Sequence, residues 1–415
     1  MKKSITPIEK CRISGSNHLI SVVNLGEQTL TGVFPKSKNE EPTSGPLELK
    51  WCPESGLLQL AHSYDLDEMY GMNYGYRSGL NNSMVAHLTE KARRLEKQYS
   101  LASGDMVVDI GSNDGTTLKA YETQGIQRIG VDPTGDKFKA YYPPEIQLII
   151  DFFPSAKTGK VLDSKKAKIV TSISMFYDLE DPKKFAREVA SVLEKDGVWH
   201  LEQSYMPAML RQNSYDTICH EHLEYYTLRN IKDILSEAGL KILDVQMNGV
   251  NGGSFAVTAA HKSAAYRPNE RMIDWLLNRE EMAGFNTIKP YREFEERAYA
   301  HRKDLRNLLE LLTMDGKKIL GYGASTKGNV ILQFCGITES LMPAIAEINV
   351  DKFGSYTPGT SIPIVSSEDA ERMRPDYYLI LPWHFREGIL RREAKFLKQG
   401  GKFIIPFPEI EIVGS

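Results

Sequence analysis

The chain has 415 residues, of which 41% are hydrophobic and 25% charged, with a formal net charge of −3. This length favours two or three domains, and the composition excludes a disordered or collagen-like protein. The near-neutral charge argues against a broad basic surface, so a nucleic-acid-binding protein is the weakest hypothesis. The sequence has no apolar run that could span a membrane, no signal-peptide core, and four scattered cysteines. We therefore expect a cytoplasmic protein without a membrane partner.

Residues 1–72 are expected to form a small domain shaped like a zinc ribbon. Cys11 and Cys52 each begin a four-residue segment whose last position would be a second cysteine in a zinc knuckle, but Ser14 and Ser55 stand there. Two thiolates and two hydroxyls make a poor zinc site, because serine stays protonated and binds weakly. We therefore predict that no metal is bound.

Residues 73–265 alternate strand, turn and helix, which predicts a parallel doubly wound sheet. Strands are expected at residues 106–110, 129–132, 169–173 and 197–202. Helices are expected over residues 116–124 and from Asp181 onward, with Pro182 in the first turn. Residues 266–312 are charged and almost free of Gly and Pro, which predicts a helical connector. The strand–turn–helix pattern resumes over residues 313–415 as a second α/β domain.

The turn at residues 111–115 is the first candidate ligand site. Glycine at position 111 allows a sharp turn and lets a ligand approach the backbone closely. Asp132 follows 21 positions later, the spacing of an acid that binds a ribose. Position 113 is Asn113 and not the second glycine of a dinucleotide motif, which favours S-adenosylmethionine over NAD. An ordinary structural turn is the alternative.

A second glycine turn covers residues 321–329. Its glycines and hydroxyls, with Lys327 at a helix start, suit an anion such as the diphosphate of a substrate. The acid that we assign to the following strand is Asp351, 30 positions after Gly321, which is too far for a dinucleotide motif. A purely structural turn is the alternative here as well.

Residues 215–226 hold the densest group of titratable and aromatic side chains, with His220, Glu221 and His222 in succession. The spacing is not His-Glu-x-x-His, and no further ligand cluster is near, so a metal site is not favoured. A histidine beside a carboxylate can act as a base that takes a proton from carbon next to a carbonyl. The alternative is that these are core histidines satisfied by backbone groups.

Several motifs in this order resemble the sugar C-methyltransferases of deoxysugar biosynthesis. They are residues 74–78, 108–115, 219–222 with the tyrosines at 225 and 226, 252–254, and 321–328. The resemblance covers essentially the whole chain. It implies a zinc-binding amino-terminal domain, a central class I methyltransferase domain of Rossmann-like fold, and a Rossmann-like carboxyl-terminal α/β domain. S-adenosylmethionine would bind the central domain, and a nucleotide-sugar would lie between the last two.

The resemblance also implies the reaction, which is methylation at C3 of a nucleotide-linked 4-keto-6-deoxy sugar destined for a polysaccharide or a secreted metabolite. The enzyme would be a monomer or small homo-oligomer. His222 is then the base, preceded by Glu221, and Tyr76 lies at the sugar. Cys219 stands where the family carries a tyrosine, so Tyr215, Tyr225 or Tyr76 is expected to supply a phenol.

The remaining expected contacts divide between cofactor and substrate. Those with S-adenosylmethionine are Asp109, Gly111, Asp114, Gly115 and Asp132, with Phe153 or Phe176 flanking the adenine. Those with the nucleotide-sugar are Ser325, Thr326, Lys327, Asn329 and His384. The alternative enzyme is an NAD-dependent nucleotide-sugar oxidoreductase or epimerase.

Overall fold

The computed structural model describes residues 5–40, 42–65, 69, 76–162 and 165–414, so Tyr74 and Gly75 of the 74–78 motif lie outside the described residues. The strands of the amino-terminal region are β1 (Thr6–Pro7), β2 (Ile20–Thr29), β3 (Ser44–Trp51), β4 (Leu58–Leu60) and β5 (His62–Ser63). Strands β2, β3 and β4 pair in antiparallel fashion. Within the described part of the chain, no helix combines the length and apolarity needed to cross a membrane.

The central region alternates helices and strands. In chain order they are α1 (Asn82–Gln98), β6 (Met106–Ile110), α2 (Thr116–Lys119), β7 (Gln127–Val131), α3 (Gly135–Phe138), β8 (Ile146–Ile149), α4 (Ala156–Leu162), β9 (Ala167–Ile173), α5 (Pro182–Val192), β10 (Leu193–Ser204), α6 (Met206–Arg211), β11 (Glu224–Tyr225), α7 (Leu228–Glu237), β12 (Leu240–Asn248) and β13 (Ser254–His261). Seven of the strands form one sheet in the order β12–β13–β10–β9–β6–β7–β8. Only β13 runs antiparallel to its neighbours. This arrangement confirms the predicted class I methyltransferase fold.

The predicted connector consists of two helices, α8 (Glu270–Met282) and α9 (Lys289–Met314). The carboxyl-terminal elements are β14 (Ile319–Tyr322), α10 (Thr326–Phe334), β15 (Ile345–Glu347), β16 (Ile364–Ser366), α11 (Ser367–Arg372), β17 (Tyr377–Ile380), α12 (Arg386–Arg392), α13 (Ala394–Lys398), β18 (Lys402–Ile405) and β19 (Glu411–Val413). Their sheet has the order β16–β15–β14–β17–β18–β19 and is parallel except for β19. A second Rossmann-like unit is therefore present, as predicted.

The segment that contains the two histidines lies between the sheets. Strand β11 follows His222 directly and leaves the central sheet to pair with β4 of the amino-terminal sheet, with Tyr225 opposite Leu58. One hydrophobic core combines side chains of the amino-terminal sheet, α9 and the carboxyl-terminal sheet. The chain around His222 is thereby fixed from several sides before any ligand binds.

Local sequence explains where the long helices begin. Asp181 caps α5 by accepting a hydrogen bond from the Lys184 backbone, and Pro182 occupies the first turn, as predicted. The predicted helix over residues 116–124 ends at Lys119 instead. The reason is tertiary, since the Glu96 carboxylate of α1 accepts hydrogen bonds from the backbone N–H groups of Glu122 and Thr123 and so draws this stretch out of the helix.

Candidate active site

A cavity of about 550 Å³ opens at the carboxyl ends of the central strands, where ligands bind in open α/β sheets. It is lined by the first glycine turn, by the ends of β7 and β9, by the segment before α1, and by the start of α10. Most of the expected site residues meet here, namely Tyr76, Asp109, Gly111, Asp132, Phe153, Glu221, His222, Ser325, Thr326, Lys327 and His384.

The first glycine turn has the conformation that its sequence requires. Gly111 has a φ of +76°, and a Cβ atom there would lie 3.1 Å from the Cγ atom of Met175. Any other residue would therefore be strained and would narrow the cavity. This bare stretch of backbone beside the cavity suits a cofactor that packs directly against the main chain.

Asp132 follows the end of β7 and holds this turn in place. Its carboxylate accepts hydrogen bonds from the backbone N–H of Asn113 at 2.7 Å and from the backbone N–H of Thr134 at 2.7 Å. The side chain is buried, and burial raises the pKa of its carboxyl. A carboxylate so placed, on the lining and next to bare backbone, is suited to hold a ribose.

Asp109 lies under the turn, at the end of β6. Its Oδ1 atom accepts a hydrogen bond of 2.5 Å from the Thr171 hydroxyl. Burial raises the pKa of Asp109 to about 7, so the group titrates near neutral pH. It lines the cavity and can therefore contact a ligand as well as support the turn.

Asn113 is a site residue that the sequence argument treated only as a missing glycine. It adopts a φ of +49°, its side-chain Oδ1 accepts from the Ser78 backbone at 2.9 Å, and its Nδ2 donates to the Tyr76 carbonyl at 3.2 Å. Asp114 adds a contact by accepting from the Gly79 backbone at 3.0 Å. Together they tie the segment before α1 across the turn. The signal in the sequence was the pair of short polar side chains inside a glycine turn.

Three expected cofactor residues have other positions. Asp114 points to Gly79 and Thr116, and Gly115 is the N-cap residue before α2 with a φ of +73°, so both shape the turn. Phe176 lies in the hydrophobic core with its ring 5.4 Å from that of Trp199, while Phe153 lines the cavity. The side chain at 153 is therefore the one of the two that can reach an adenine.

A backbone carbonyl fixes the orientation of the His222 ring. Its Nδ1 atom lies 2.8 Å from the carbonyl oxygen of Thr217, so Nδ1 carries the proton and Nε2 keeps its lone pair. Burial lowers its pKa to about 4, and the charge of Lys327 acts in the same direction. The imidazole is therefore neutral at pH 7 and able to accept a proton.

The other two residues of the His-Glu-His segment differ in role. His220 is fully buried, with its ring packed edge-on against Tyr64 at 4.7 Å, so it is the core histidine that one of the alternatives described. Glu221 lines the cavity, and burial raises the pKa of its carboxyl. The Cys219 thiol, which also lines the cavity, is hydrogen-bonded to that carboxyl.

The tyrosine nearest the His222 ring in the described contacts is one that sequence reasoning missed. The ring of Tyr177 lies 4.3 Å from that of His222, and Tyr177 lines the cavity. By contrast, Tyr215 is buried with its hydroxyl 2.9 Å from His301, and Tyr225 directs its hydroxyl to the Thr217 carbonyl. Of the three expected tyrosines, only Tyr76 lines the cavity.

The second glycine turn brings Lys327 to the same cavity. Lys327 Nζ donates to the carbonyl oxygen of Asn251 at 2.9 Å, and burial lowers its pKa. Ser325 caps α10 by accepting from the Gly328 backbone, and it lines the cavity with Thr326. Asn329 points away, because its buried amide donates to the Thr31 carbonyl of the amino-terminal region.

A second cavity, of about 1080 Å³, shares Asn81, Ser325, Pro382, His384 and Phe385 with the first. Its charged lining comprises Arg211, Glu347, Arg386, Glu387, Arg391 and Arg392. The acid of the second Rossmann-like unit is Glu347 at the end of β15, not Asp351 as assigned from the sequence. Glu347 accepts from the Ala324 backbone at 2.8 Å, which matches the bond between Asp132 and Asn113 in the first turn.

Comparisons with known proteins decide the family. Three family models match, described as "Putative zinc binding domain" at residues 11–70, "Methyltransferase domain" at 84–245 and "C-methyltransferase C-terminal domain" at 249–408. The C-methyltransferase NovU of Streptomyces niveus is 30% identical over 419 residues, covering 100% of this chain and 99% of NovU. This chain belongs to the C-methyltransferase family. It is an S-adenosylmethionine-dependent enzyme, and the expected alternative of an NAD-dependent oxidoreductase or epimerase is wrong.

Solved structures are similar over part of the chain. An S-adenosylmethionine-dependent methyltransferase from Clostridium acetobutylicum is 12% identical with a TM-score of 0.33, covering 43% of this chain and 92% of that one. The CcbJ methyltransferase of Streptomyces caelestis is 13% identical with a TM-score of 0.34, covering 43% of this chain and 90% of that one.

The family implies two bound groups, S-adenosylmethionine and a zinc ion, and only the first of them fits the residues of this C-methyltransferase. The cavity fits S-adenosylmethionine, because it joins the bare backbone at Gly111 to the buried carboxylate of Asp132. A zinc ion does not fit the amino-terminal domain, because two of the four ligand positions are serine. Among the described residues, no group of three or more His, Cys, Asp or Glu side chains is arranged to hold a metal.

Proposed function

We propose that this enzyme methylates C3 of a nucleotide-linked 4-keto-6-deoxyhexose, with His222 as the base. The observation that carries the proposal is a neutral imidazole, held through Nδ1 by the Thr217 carbonyl, on the same cavity as Gly111 and Asp132. A base is needed for methylation at carbon, since a C–H group is not itself a nucleophile. The resemblance of the motifs to sugar C-methyltransferases supports the choice of substrate.

The chemistry balances with this one base. Nε2 of His222 takes the proton from C3, and the electron pair of the C–H bond delocalises onto the C4 oxygen to give an enolate. S-adenosylmethionine, when bound, would supply an electrophilic methyl group: C3 forms its new bond to that carbon as the C4 ketone re-forms, and the S–CH₃ bond breaks with its electron pair going to sulfur. The chain's own contribution is to hold the sugar ring so that C3 faces both His222 and the cofactor.

Lys327 supports the developing negative charge in this proposal. It lines the cavity with His222, and its charge reaches the imidazole, since it lowers the pKa of His222. Its one described acceptor is the Asn251 carbonyl, which leaves further N–H groups of the ammonium for an enolate oxygen. A buried cation at this point acts where charge appears during the reaction and is therefore worth more than it would be in water. We assign Lys327 to the enolate oxygen in place of the diphosphate.

The lining of the second cavity suits the diphosphate of a nucleotide. Arg211, Arg386, Arg391 and Arg392 outnumber its two glutamates, and guanidinium groups suit phosphate oxygens. His384 and Ser325 line both cavities, so a diphosphate at this junction would place the attached sugar toward His222. The proposed substrate thus spans the two cavities, with its sugar in the first.

The experiment separates the base from the binding site. We expect His222→Ala to lower the rate of methyl transfer by about 10²- to 10⁴-fold. It should also abolish the exchange of the C3 hydrogen of the keto sugar with solvent deuterium, measured without cofactor. Binding of S-adenosylhomocysteine, measured by calorimetry, should be unchanged. Cys219→Ser is the matched control, since it changes a neighbouring residue of the lining and leaves the base in place.

Two outcomes would reject the proposal. Near-normal turnover of His222→Ala would remove this residue from the role of base. A transferred methyl group adds about 14 mass units, the mass of one CH₂ group. If the wild-type enzyme produced this gain with no member of a panel of nucleotide-linked 4-keto sugars, the substrate class would be wrong. The family assignment would stand in both cases.

A further inference from the structure

We propose that four hydrogen-bonded side chains, and not a metal ion, hold the two turns of the amino-terminal domain together. We also propose that these four positions retain the arrangement of a zinc site. The four residues, called here the apex cluster, are Cys11, Ser14, Cys52 and Ser55. Two of them come from each of two short turns that are about 40 residues apart in the chain. The inference does not depend on the proposed substrate or base.

The hydrogen bonds of the apex cluster cross between the turns. Cys11 Sγ lies 3.1 Å from Ser55 Oγ, and Ser14 Oγ lies 3.5 Å from Cys52 Sγ. Each cysteine is thus paired with the serine of the opposite turn. Four side chains that meet in this way occupy the positions from which four thiolates would surround one zinc ion.

The backbone of the two turns is the same, which shows that both knuckles keep their shape. Gly15 N–H donates to the Cys11 carbonyl and Gly56 N–H donates to the Cys52 carbonyl, each at 2.8 Å. Both glycines have positive φ, +74° and +70°. The loop geometry that presents ligands therefore survives, although half of the ligands are hydroxyls.

Two features explain how the apex cluster holds together without a metal. Cys11 and Cys52 are buried in the same hydrophobic core as side chains of the central domain. The carbonyl of Ser55 also accepts a hydrogen bond of 2.7 Å from Asn230 at the start of α7. A free-standing zinc knuckle lacks such a support and unfolds without its metal, whereas this one is packed against a folded domain.

Metal content tests the inference on the full-length protein. The wild-type enzyme is purified with zinc present and then dialysed. We expect elemental (inductively coupled plasma) mass spectrometry to find well under one zinc ion per chain. Excess EDTA should not change its melting temperature. Ser14→Cys combined with Ser55→Cys should bind about one zinc per chain, because it completes a tetrathiolate. Its Co²⁺ form should then show the visible absorption of tetrahedral cobalt, and EDTA should lower its melting temperature.

The opposite results are equally definite. Wild-type protein that keeps one zinc per chain through dialysis, and loses melting temperature when EDTA removes it, would overturn the absence of metal. A folded double variant that takes up neither Zn²⁺ nor Co²⁺ would overturn the retained geometry. If the double variant is insoluble, Ser55→Cys alone provides three thiolates for the same Co²⁺ titration. The wild-type measurement needs no variant.

Discussion

Replacing Glu202 with glutamine tests the buried network that fixes α1 to the central sheet. Glu202 lies in β10, is 1% exposed, and accepts hydrogen bonds from His87 Nε2 at 2.6 Å and from Asn248 Nδ2 at 2.7 Å. Lys91 Nζ completes the network at 2.5 Å. His87 and Lys91 belong to α1, whose preceding segment lines the cofactor cavity. The network therefore positions one wall of the site.

The size of the effect follows from the Glu202 carboxyl. Burial opposes its ionisation, but the hydrogen bond from His87 and the charge of Lys91 outweigh it and lower the pKa from an ordinary 4.5 to about 2. That difference alone corresponds to about 3 kcal/mol at neutral pH, but burial lowers the pKa of Lys91, so the pair as a whole contributes less to folding stability. Glu202→Gln also leaves the Lys91 ammonium buried without its partner, so we expect a loss of about 3–5 kcal/mol.

Urea unfolding followed by circular dichroism measures this loss, and thermal unfolding should show it as a fall in melting temperature of roughly 5 °C. Because the folded pKa of Glu202 is depressed, its contribution is complete above pH 4.5 and disappears as the pH falls towards 2. The gap between wild type and variant should therefore narrow by pH 3. Lys91→Met with Glu202→Gln is the control, and we expect it to be more stable than Glu202→Gln alone.

Either of two results would refute this reasoning. A Glu202→Gln protein within about 1 kcal/mol of wild type at pH 7 would mean that the network contributes little. A double variant less stable than Glu202→Gln would mean that Lys91 contributes by packing and not by its charge. In a folded Glu202→Gln enzyme, the KM for S-adenosylmethionine should rise more than kcat falls, because the affected wall belongs to the cofactor side.

Three further predictions concern the cofactor and the base. Asp132→Asn replaces one acceptor oxygen with an NH₂ group beside Asn113. The affinity for S-adenosylhomocysteine, measured by calorimetry, should therefore fall about 10- to 100-fold. An unchanged affinity would mean that Asp132 does not bind the ribose. Because His222 must be neutral to act and its pKa is lowered to about 4, the fall of kcat/KM that belongs to His222 should begin only below about pH 5, whereas a step near pH 7 would belong to Asp109. Lys327→Met removes a charge that lowers the pKa of His222, so it should move this acid limb of the pH profile to higher pH. An acid limb that does not move would show that the charge of Lys327 does not act on His222.

The sequence predicted the sheet strands and the cofactor well, because both depend on local signals. The buried run of β6 and the capped start of α5 at Asp181 follow from apolar patterning and capping residues. The glycine at 111 and the acid at 132 have a fixed spacing set by one strand–turn–helix–strand unit. Such features involve neighbours in the chain, so they are visible without the fold.

Tertiary structure alone decided which of several similar residues face the cavity. His220 and His222 are two positions apart, yet one packs into the core against Tyr64 and the other lines the cavity. Tyr177 comes next to His222 from a different strand end, some 45 residues earlier in the chain. Contacts between distant segments are fixed by packing and by strand order, and one sequence carries no local record of them.

The chain by itself therefore determined its kind of fold and its cofactor, since both depend on residues close together in sequence. The folded molecule determined that Glu347, not Asp351, closes the second turn, and that each cysteine of the two amino-terminal turns pairs with the serine of the opposite turn. Both facts arise from where a strand ends and how two loops pack. Burial also lowers the pKa of His222, and this shift depends on the side chains that the fold packs around the imidazole.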